Sequence, residues 1–390
     1  MSNQYRTSNS KGLVNKEKII NFTFNGDSYQ GYEGDTLASA LIANGIHLVG
    51  RSFKYHRPRG FLGAGVEEPN AMVQLHEGDR SEPNIMATEV ELVEGLKAKS
   101  QNCWPSVKFD IGEINNILNR FFPAGFYYKT FMWPKSFWFK VYEPFIRKAA
   151  GMGVAPLSPD PDRYEHNYEH CDVLVVGSGP SGLSSALAAA KNGARVILAE
   201  DKAHFGGSLL NDDVTIGNMS GREWASDVIS QLKNMPNVVV KNRSQVFGYY
   251  DHNMTVMFER VSDHLENSSK YTPRQRLHYI RAGEVIVSTG SIERPISFGN
   301  NDRPGIFLAS AAREYMKVYE TLVGKKPIIF TNNDSAYATA LEFIKNDIKP
   351  IIVDTRDNSD GQLVKEVQEQ GINIRRSEEH TSELQSPMYL

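Results

Sequence analysis

The first hundred residues alternate between apolar and polar positions in a pattern that predicts a β-hairpin followed by a helix. Residues 19–24 alternate as one strand, and residues 29–32 form the returning strand. The dipeptide Asn25-Gly26 separates them, and it favours the type I′ turn of a tight hairpin. Residues 37–44 then predict a short helix, with Asp35 or Thr36 as its N-cap and Gly45 at its end.

A hairpin followed by a helix is how a ferredoxin-like β-grasp domain begins, and we assign this domain to residues 17–100. A plant-type [2Fe–2S] loop has the spacing C-x₄-C-x₂-C. If Gly63 and Gly65 are aligned with the glycines of that loop, the cysteine positions hold Leu62, Glu67 and Asn70. Leu62 has no ligand atom, and the two oxygen ligands do not replace thiolates. We therefore expect a β-grasp fold without an iron–sulfur cluster.

The strongest chemical signal begins near the middle of the chain, where an apolar run at residues 173–176 predicts a buried parallel strand. Gly177, Gly179 and Gly182 follow it with the spacing G-x-G-x-x-G. The first glycine permits a tight turn, the second lets the backbone approach a pyrophosphate, and the third allows close packing of helix on sheet. The pattern indicates a dinucleotide cradle, and the alternative is a tight turn without a ligand.

The residues after the glycines complete the pattern of the cradle. Residues 183–191 are rich in Ala and Leu and predict a helix whose N-terminus would face the phosphates. Residues 195–199 predict the second strand, and Glu200 lies at its end. A carboxylate there can accept hydrogen bonds from ribose hydroxyls, which disfavours the 2′-phosphate of NADP. NAD and FAD share the AMP half, so the motif leaves both open.

Later segments extend this domain. Residues 205–208 pass close to a bound cofactor in our interpretation, residues 284–288 predict a strand, and Thr289-Gly290 follows it as a close-approach turn. Residues 238–240 and 255–259 predict strands on either side of a turn. The order is typical of a glutathione-reductase-type fold with two dinucleotide-binding Rossmann-like domains. The fold class is therefore α/β, with an α+β N-terminal part.

A second strand–helix–strand unit begins at residue 327. Residues 327–330 and 351–353 predict strands around a helix at residues 336–345. The positions of the phosphate glycines hold Thr331, Asn332 and Asn333, whose Cβ atoms would obstruct a pyrophosphate. We expect this half to be structural, so the chain would hold one dinucleotide.

Composition narrows the classes of function. The net charge of −3 implies no nucleic-acid partner, and two cysteines are too few for a disulfide framework or a cysteine-rich metal site. The polar N-terminus has no apolar export segment, so we expect a cytoplasmic protein. The basic string at residues 51–60 is interpreted as a solvated or subunit-facing loop, with an anion site as the alternative.

The connector at residues 101–170 is unusually aromatic. Twelve of the 25 residues at 121–145 are Phe, Tyr or Trp. We favour an internal core combined with a subunit contact over a membrane-surface patch, because aromatic side chains dominate buried interfaces. Residues 151–170 are rich in Pro and charge and predict a linker, in which His166 and His170 are not metal ligands.

Several strings resemble the α subunit of heterotetrameric sarcosine oxidases, from about residue 19 to residue 374. They are RSFKYHRPRG (51–60), GAGVEEPNAMV (63–73), EPFIRKAAGMGVAP (143–156), CDVLVVGSGPSGL (171–183), STGSIERP (288–295), NDRPGIFLASAAREYM (301–316) and TNNDSAY (331–337). The resemblance implies an NAD-binding subunit of an oxidoreductase complex with β, γ and δ subunits. It also implies FAD and covalent FMN on the β subunit, and tetrahydrofolate on a C-terminal domain absent from this sequence.

The resemblance places no catalytic residue in this stretch, so the chain alone is expected to be inactive. The residues expected at the nucleotide are Gly177, Gly179, Pro180, Ser181, Gly182, Glu200, Asp201, Gly207, Ser208, Val246, Thr289 and Gly290. Two alternatives remain open. One is an FAD-binding subunit of another amine, opine or proline-type dehydrogenase, and the other is a non-catalytic scaffold with a vestigial cradle.

The predicted domain order continues with a first Rossmann-like domain at residues 171–325 and the start of an inserted second one at 326–375. Residues 376–390 are polar and aperiodic, and they resemble a translated sequencing adapter, so we interpret them as a non-native tail. We expect the second nucleotide domain to be truncated and the final segment that returns to the first one to be missing. The sheet of the first domain would then be incomplete, which would expose apolar surface and lower solubility.

Overall fold

A computed structural model describes residues 4–8, 11–121, 125, 129, 131–149 and 153–376 of the chain. The described residues divide into two compact units, one from those before residue 160 and after residue 292, and the other from residues 160–292. Of the predicted non-native tail at residues 376–390, Arg376 is described and ends a strand, and residues 377–390 lie outside the described residues.

The N-terminal sheet confirms the β-grasp prediction. Its first hairpin joins β1 (Asn15–Phe24) to β2 (Asp27–Glu33) in antiparallel register. Asn25 and Gly26 have φ values of 55° and 89°, as a type I′ turn requires. Helix α1 (Leu37–Ala43) is wholly buried, and its N-cap Thr36 forms a capping box with Ser39.

The later strands of this domain complete a five-stranded sheet. Its order is β2-β1-β7-β5-β6, with β1 and β7 parallel. The remaining elements up to the end of the connector are β3 (Gly50–Arg51), β4 (Pro58–Arg59), β5 (Met72–Leu75), β6 (Glu82–Met86), β7 (Leu96–Ser100), α2 (Ile114–Ile117) and α3 (Glu143–Ala149).

The aromatic connector is not an internal core in the part that the structure describes. Trp133, Phe139 and Phe145 are 82%, 80% and 70% exposed, and Trp104 and Phe109 are also largely exposed. The prediction of an internal core is therefore wrong for these residues, while the subunit contact stays a prediction. No helix among the described residues is long and apolar enough to cross a membrane.

The second unit contains a six-stranded sheet of order β12-β9-β8-β15-β14-β13. Strands β12, β9, β8 and β15 are parallel, and β14 and β13 continue the sheet in antiparallel register. The elements are β8 (Tyr164–Val176), α4 (Pro180–Lys191), β9 (Val196–Ala199), β10 (Thr215–Ile216), β11 (Met219–Ser220), α5 (Gly221–Lys233), β12 (Val238–Lys241), β13 (Ser244–Tyr250), β14 (Met254–Arg260) and β15 (Gln275–Val287).

Two sequence predictions in this unit need correction. Residues 164–170 are not linker, because they form the first half of β8 and pair with β15 from Gln275 onward. The predicted strands at 238–240 and 255–259 do not flank a turn, because β13 lies between them in the chain. The sequence predicts only the second halves of β8 and β15. In the first half of each strand apolar residues alternate with polar ones and form no apolar run.

The remaining elements belong to the first unit. They are α6 (Ala309–Lys317), β16 (Ile328–Thr331), α7 (Ser335–Lys345), β17 (Ile351–Asp354), α8 (Gln362–Glu369) and β18 (Ile374–Arg376). The three strands form a parallel sheet in chain order, as predicted for a second Rossmann-like half. Tyr337, Phe343 and Ile352 lie in its buried core.

Candidate nucleotide-binding site

The predicted strand–turn–helix is present between β8 and α4, and its three glycines differ in their surroundings. Gly177 has a φ of +95°, and a Cβ there would lie 2.4 Å from the Ser288 carbonyl oxygen. A Cβ at Gly182 would lie 1.9 Å from the Gly177 carbonyl oxygen. A Cβ at Gly179 would meet no protein atom within 4 Å. Two glycines are therefore required by the fold, whereas Gly179 borders open space.

The N-terminus of α4 is open at this place. Gly179 is its N-cap and has no side chain, and Pro180 occupies the first helical position. Ser181 is exposed and its hydroxyl lies 3.5 Å from the Ser288 hydroxyl. Such a helix end, with free N–H groups and a positive dipole end, suits an anionic phosphate.

Ser178 is a buried residue of the cradle that sequence reasoning missed. Its backbone N–H, at 2.9 Å, and its hydroxyl, at 2.5 Å, both donate to Glu200 Oε2. The same hydroxyl accepts a hydrogen bond of 3.1 Å from the Gly206 N–H. Ser178 thus ties the glycine turn, the end of β9 and the Gly206 turn together. The signal in the sequence was a hydroxyl residue between two motif glycines.

Glu200 is 5% exposed and lies at the end of β9 as predicted. Burial and the neighbouring Asp201 carboxyl raise the pKa of Glu200 to about 8. Its Oε1 accepts a hydrogen bond from the Lys202 N–H. In either protonation state Oε1 has more than one acceptor direction, so the side chain keeps capacity for a hydroxyl donor.

The turn after β9 passes directly against the glycine motif. Gly206 and Gly207 have φ values of +128° and +53°, and a Cβ at Gly207 would lie 2.9 Å from the Gly179 Cα. Ser208 follows in a short 3₁₀ turn, Gly207–Leu210. This backbone therefore forms a second wall beside Gly179, which only glycine can form at this distance.

The other predicted site residues lie at two places. Thr289 and Gly290 follow β15, whose end pairs with the end of β8, so they share an edge of the sheet with the glycine turn. A Cβ at Gly290, which has a φ of +74°, would meet no atom within 4 Å. Val246 lies on β13 and packs against the apolar cluster beneath the sheet. Its role at a nucleotide stays a prediction.

In the second Rossmann-like half, the polar side chains beside the turn that precedes α7 bond to one another. Asp354 is fully buried and accepts hydrogen bonds from the Tyr337 hydroxyl at 2.7 Å and from the Arg356 guanidinium at 2.8 Å. The same guanidinium lies 2.8 Å from Asp334. These contacts support the prediction that this half is structural.

The arginines of the basic string have internal partners, so the string is neither a solvated loop nor an anion site there, while a subunit-facing role stays a prediction. Arg51 is buried and donates to the Val107 carbonyl oxygen. Arg57 and Arg59 both pair with Asp302. Hydrogen bonds from Arg57 lower the pKa of Asp302 below its usual range. Arg57 and Arg59 of the basic string therefore form ion pairs inside the first unit.

The positions of the cluster cysteines hold no thiolate, as the sequence shows. Among the described residues, no group of three or more His, Cys, Asp or Glu side chains could hold a metal ion. The loop at Leu62, Glu67 and Asn70 therefore does not fit an iron–sulfur cluster.

Family models agree with these two folds. Residues 17–103 match the 2Fe-2S iron-sulfur cluster binding domain, and residues 172–244 match the FAD dependent oxidoreductase domain. L-proline dehydrogenase from P. horikoshii has a similar fold, with a TM-score of 0.59 at 19% identity over 93% of this chain and 57% of that one. The chain thus combines a ferredoxin-like β-grasp domain with a Rossmann-like domain of the FAD-dependent oxidoreductase type.

The expected resemblance to sarcosine oxidase α subunits is confirmed by sequence comparison. The chain is 51% identical to the α subunit of sarcosine oxidase from Rhizobium meliloti over 347 residues, which cover 89% of this chain and 35% of that protein. It is 33% identical to the corresponding subunit of a Corynebacterium, over 88% of this chain and 31% of that protein. The chain spans about a third of the length of these curated relatives.

A weaker similarity extends to another oxidase. The chain is 24% identical to one subunit of the opine oxidase of Agrobacterium tumefaciens, over 37% of this chain and 29% of that protein. This relative covers less of the chain at lower identity than the sarcosine oxidase subunits.

Proposed function

We propose that this chain is the nucleotide-binding part of the α subunit of a sarcosine oxidase, an oxidoreductase acting on CH–NH bonds. The observation that carries the proposal is the 51% identity to a sarcosine oxidase α subunit over 89% of the chain, including the cradle. Fold alone would not support it, because one fold serves many reactions.

In this proposal the chain binds NAD and organises the complex. Gly179, the N-terminus of α4 and the Gly206-Gly207 turn would receive the pyrophosphate, and Glu200 would accept hydrogen bonds from the ribose hydroxyls. Oxidation of sarcosine to glycine would take place on flavins held by the β subunit, with oxygen as electron acceptor. Tetrahydrofolate on a C-terminal part would accept the one-carbon unit.

The exposed aromatic residues of the connector support a subunit contact. Trp133, Phe139 and Phe145 present large apolar surfaces that a monomer in water would leave unpaired. Tryptophan and other aromatic residues are enriched at protein interfaces. We propose that the partner subunits, of β, γ and δ type, cover part of this connector.

The second candidate is an FAD-binding subunit of an opine or proline-type dehydrogenase. It is favoured by the FAD-dependent oxidoreductase match at residues 172–244 and by the similarity to the opine oxidase subunit. The glycine motif favours neither nucleotide, since NAD and FAD would present the same AMP half to it.

Substrate-dependent oxygen uptake separates the two candidates. We expect the complex purified through this chain from its source to consume oxygen with sarcosine, with a kcat/KM at least tenfold above that for L-proline or an opine. A tenfold preference corresponds to about 1.4 kcal/mol. The chain alone is the control and should show no uptake. Preference for L-proline or an opine would favour the second candidate.

A further inference from the structure

The loop that would enclose an iron–sulfur cluster is closed instead by two adjacent glutamates. Glu68 is 3% exposed. Its Oε2 accepts hydrogen bonds from the N–H groups of Leu62, at 2.6 Å, and Gly63, at 2.7 Å. Its Oε1 accepts from Asn70, at 2.6 Å, and Ala71, at 3.1 Å. One side chain therefore satisfies both ends of the loop.

Glu67 satisfies the middle of the same loop. Its Oε1 accepts hydrogen bonds from the Ala64 N–H at 2.7 Å and the Gly65 N–H at 3.1 Å. A Cβ at Gly63 would lie 2.6 Å from this oxygen, so the space beside Gly63 belongs to the Glu67 carboxylate. Glu67 occupies one of the three positions that a cluster would require as cysteine.

The carbonyl groups of the loop are held by neighbouring elements of the same unit. The Tyr315 hydroxyl donates to the Gly63 carbonyl oxygen at 2.9 Å, and the Leu308 N–H donates to the Leu62 carbonyl oxygen at 2.8 Å. The Thr88 hydroxyl donates to the Gly65 carbonyl oxygen at 2.9 Å. The N–H groups and the carbonyl groups of the loop that are named here thus have hydrogen-bond partners inside the protein.

The arrangement has the electrostatics of an anion site. Six backbone N–H groups converge on two carboxylates, and an ionised carboxylate only accepts hydrogen bonds. Burial raises the pKa of Glu68, and the four N–H donors oppose that shift. In iron–sulfur domains the sulfurs of the cluster are the acceptors of such hydrogen bonds.

We propose that Glu67 and Glu68 replace the iron–sulfur cluster as the anionic centre of this loop, and that the domain is a self-supporting module without redox activity. Glu68 closes the loop by joining Leu62-Gly63 to Asn70-Ala71, and Glu67 holds Ala64-Gly65. The domain keeps the β-grasp fold without a metal because its own side chains supply the acceptors.

Amide hydrogen exchange on the full chain tests the two roles separately. Glu68→Ala should speed exchange at Leu62, Gly63, Asn70 and Ala71 at least tenfold, because hydrogen bonds to charged groups are among the stronger ones. Glu67→Ala should do so at Ala64 and Gly65 alone. Glu17→Ala, at an exposed position of β1, is the matched control and should change neither set.

Unchanged exchange at these amides in both variants would show that the carboxylates do not hold the loop. If Glu68→Ala does not fold, Glu68→Gln and Glu67→Ala give the same test, because Gln offers one acceptor oxygen in place of two.

Reconstitution gives the second readout. The full chain incubated anaerobically with iron(II) and sulfide should bind no stoichiometric iron and develop no visible charge-transfer absorbance. Stoichiometric iron and sulfide with such absorbance would contradict the proposal, since the space and the N–H donors would then be available to a cluster.

Discussion

Replacing Gly179 by Val should remove the nucleotide while leaving the fold intact. The backbone of Gly179 has φ −65° and ψ −178°, which any residue adopts, and a Cβ there would meet no protein atom within 4 Å. The added methyl groups would instead fill the space where a pyrophosphate must approach. Overpacking of this kind costs about 1–3 kcal/mol, so we expect a loss of affinity of about five- to 150-fold.

The measurement is the nucleotide content of the purified chain beside its thermal unfolding curve. Ser184→Val, at an exposed position one turn further along α4, is the matched control and should retain the nucleotide. Gly182→Ala should instead destabilise the fold, because its Cβ would overlap the Gly177 carbonyl oxygen. If Gly179→Val keeps full nucleotide content, the cradle is vestigial and the scaffold hypothesis is favoured.

The second large effect is expected at His278, a fully buried histidine on β15. Its Nδ1 lies 2.6 Å from Glu169 Oε1 and its Nε2 lies 2.7 Å from Glu259 Oε2. Both partners are carboxylates on the flanking strands, so the doubly protonated imidazolium satisfies both contacts. Lys241 lies 3.5 Å from Glu169, and Arg276 also pairs with Glu259.

The charges fix the direction of the pH dependence. Burial alone would lower the pKa of His278, but its hydrogen bonds to Glu169 and Glu259 outweigh burial and raise it. The hydrogen bond from His278 lowers the pKa of Glu169. The histidine contributes its full stability below about pH 6.5 and loses it as pH rises through its raised pKa. Glu169 contributes its full stability above about pH 4.3, and this contribution is lost as pH falls through its lowered pKa.

His278→Gln should therefore lower the free energy of unfolding by about 2–3 kcal/mol at pH 6, with a smaller loss at pH 9. Urea unfolding at several pH values, together with amide exchange in β15, measures the difference. His166→Gln, whose ring is exposed on the adjacent strand β8, is the control and should change little. A loss that does not vary between pH 6 and pH 9 would mean that His278 is not charged in the folded chain.

The elements that sequence reasoning predicted well are those with strong local signals. The Asn25-Gly26 turn, the helix after it and the glycine turn before α4 each depend on residues adjacent in the chain. The backbone conformations that those residues favour are the ones observed.

The missed features depend on contacts between residues distant in the chain. The polar first half of β8, beginning at Tyr164, is a strand because it pairs with β15, more than 100 residues later. The sequence alone does not distinguish Glu68 from an ordinary surface carboxylate, because its burial and its hydrogen bonds depend on the fold of the loop. Arg57 and Arg59 find their partner, Asp302, some 240 residues away. Local pattern carries no information on such pairings.

Whether the cradle holds NAD is decided by the nucleotide that acid releases from the purified chain. Mass spectrometry identifies the nucleotide, and a visible spectrum of the same sample reports any flavin. We expect NAD and a colourless chain. FAD with a yellow chain would contradict it and would place the redox chemistry in the cradle itself.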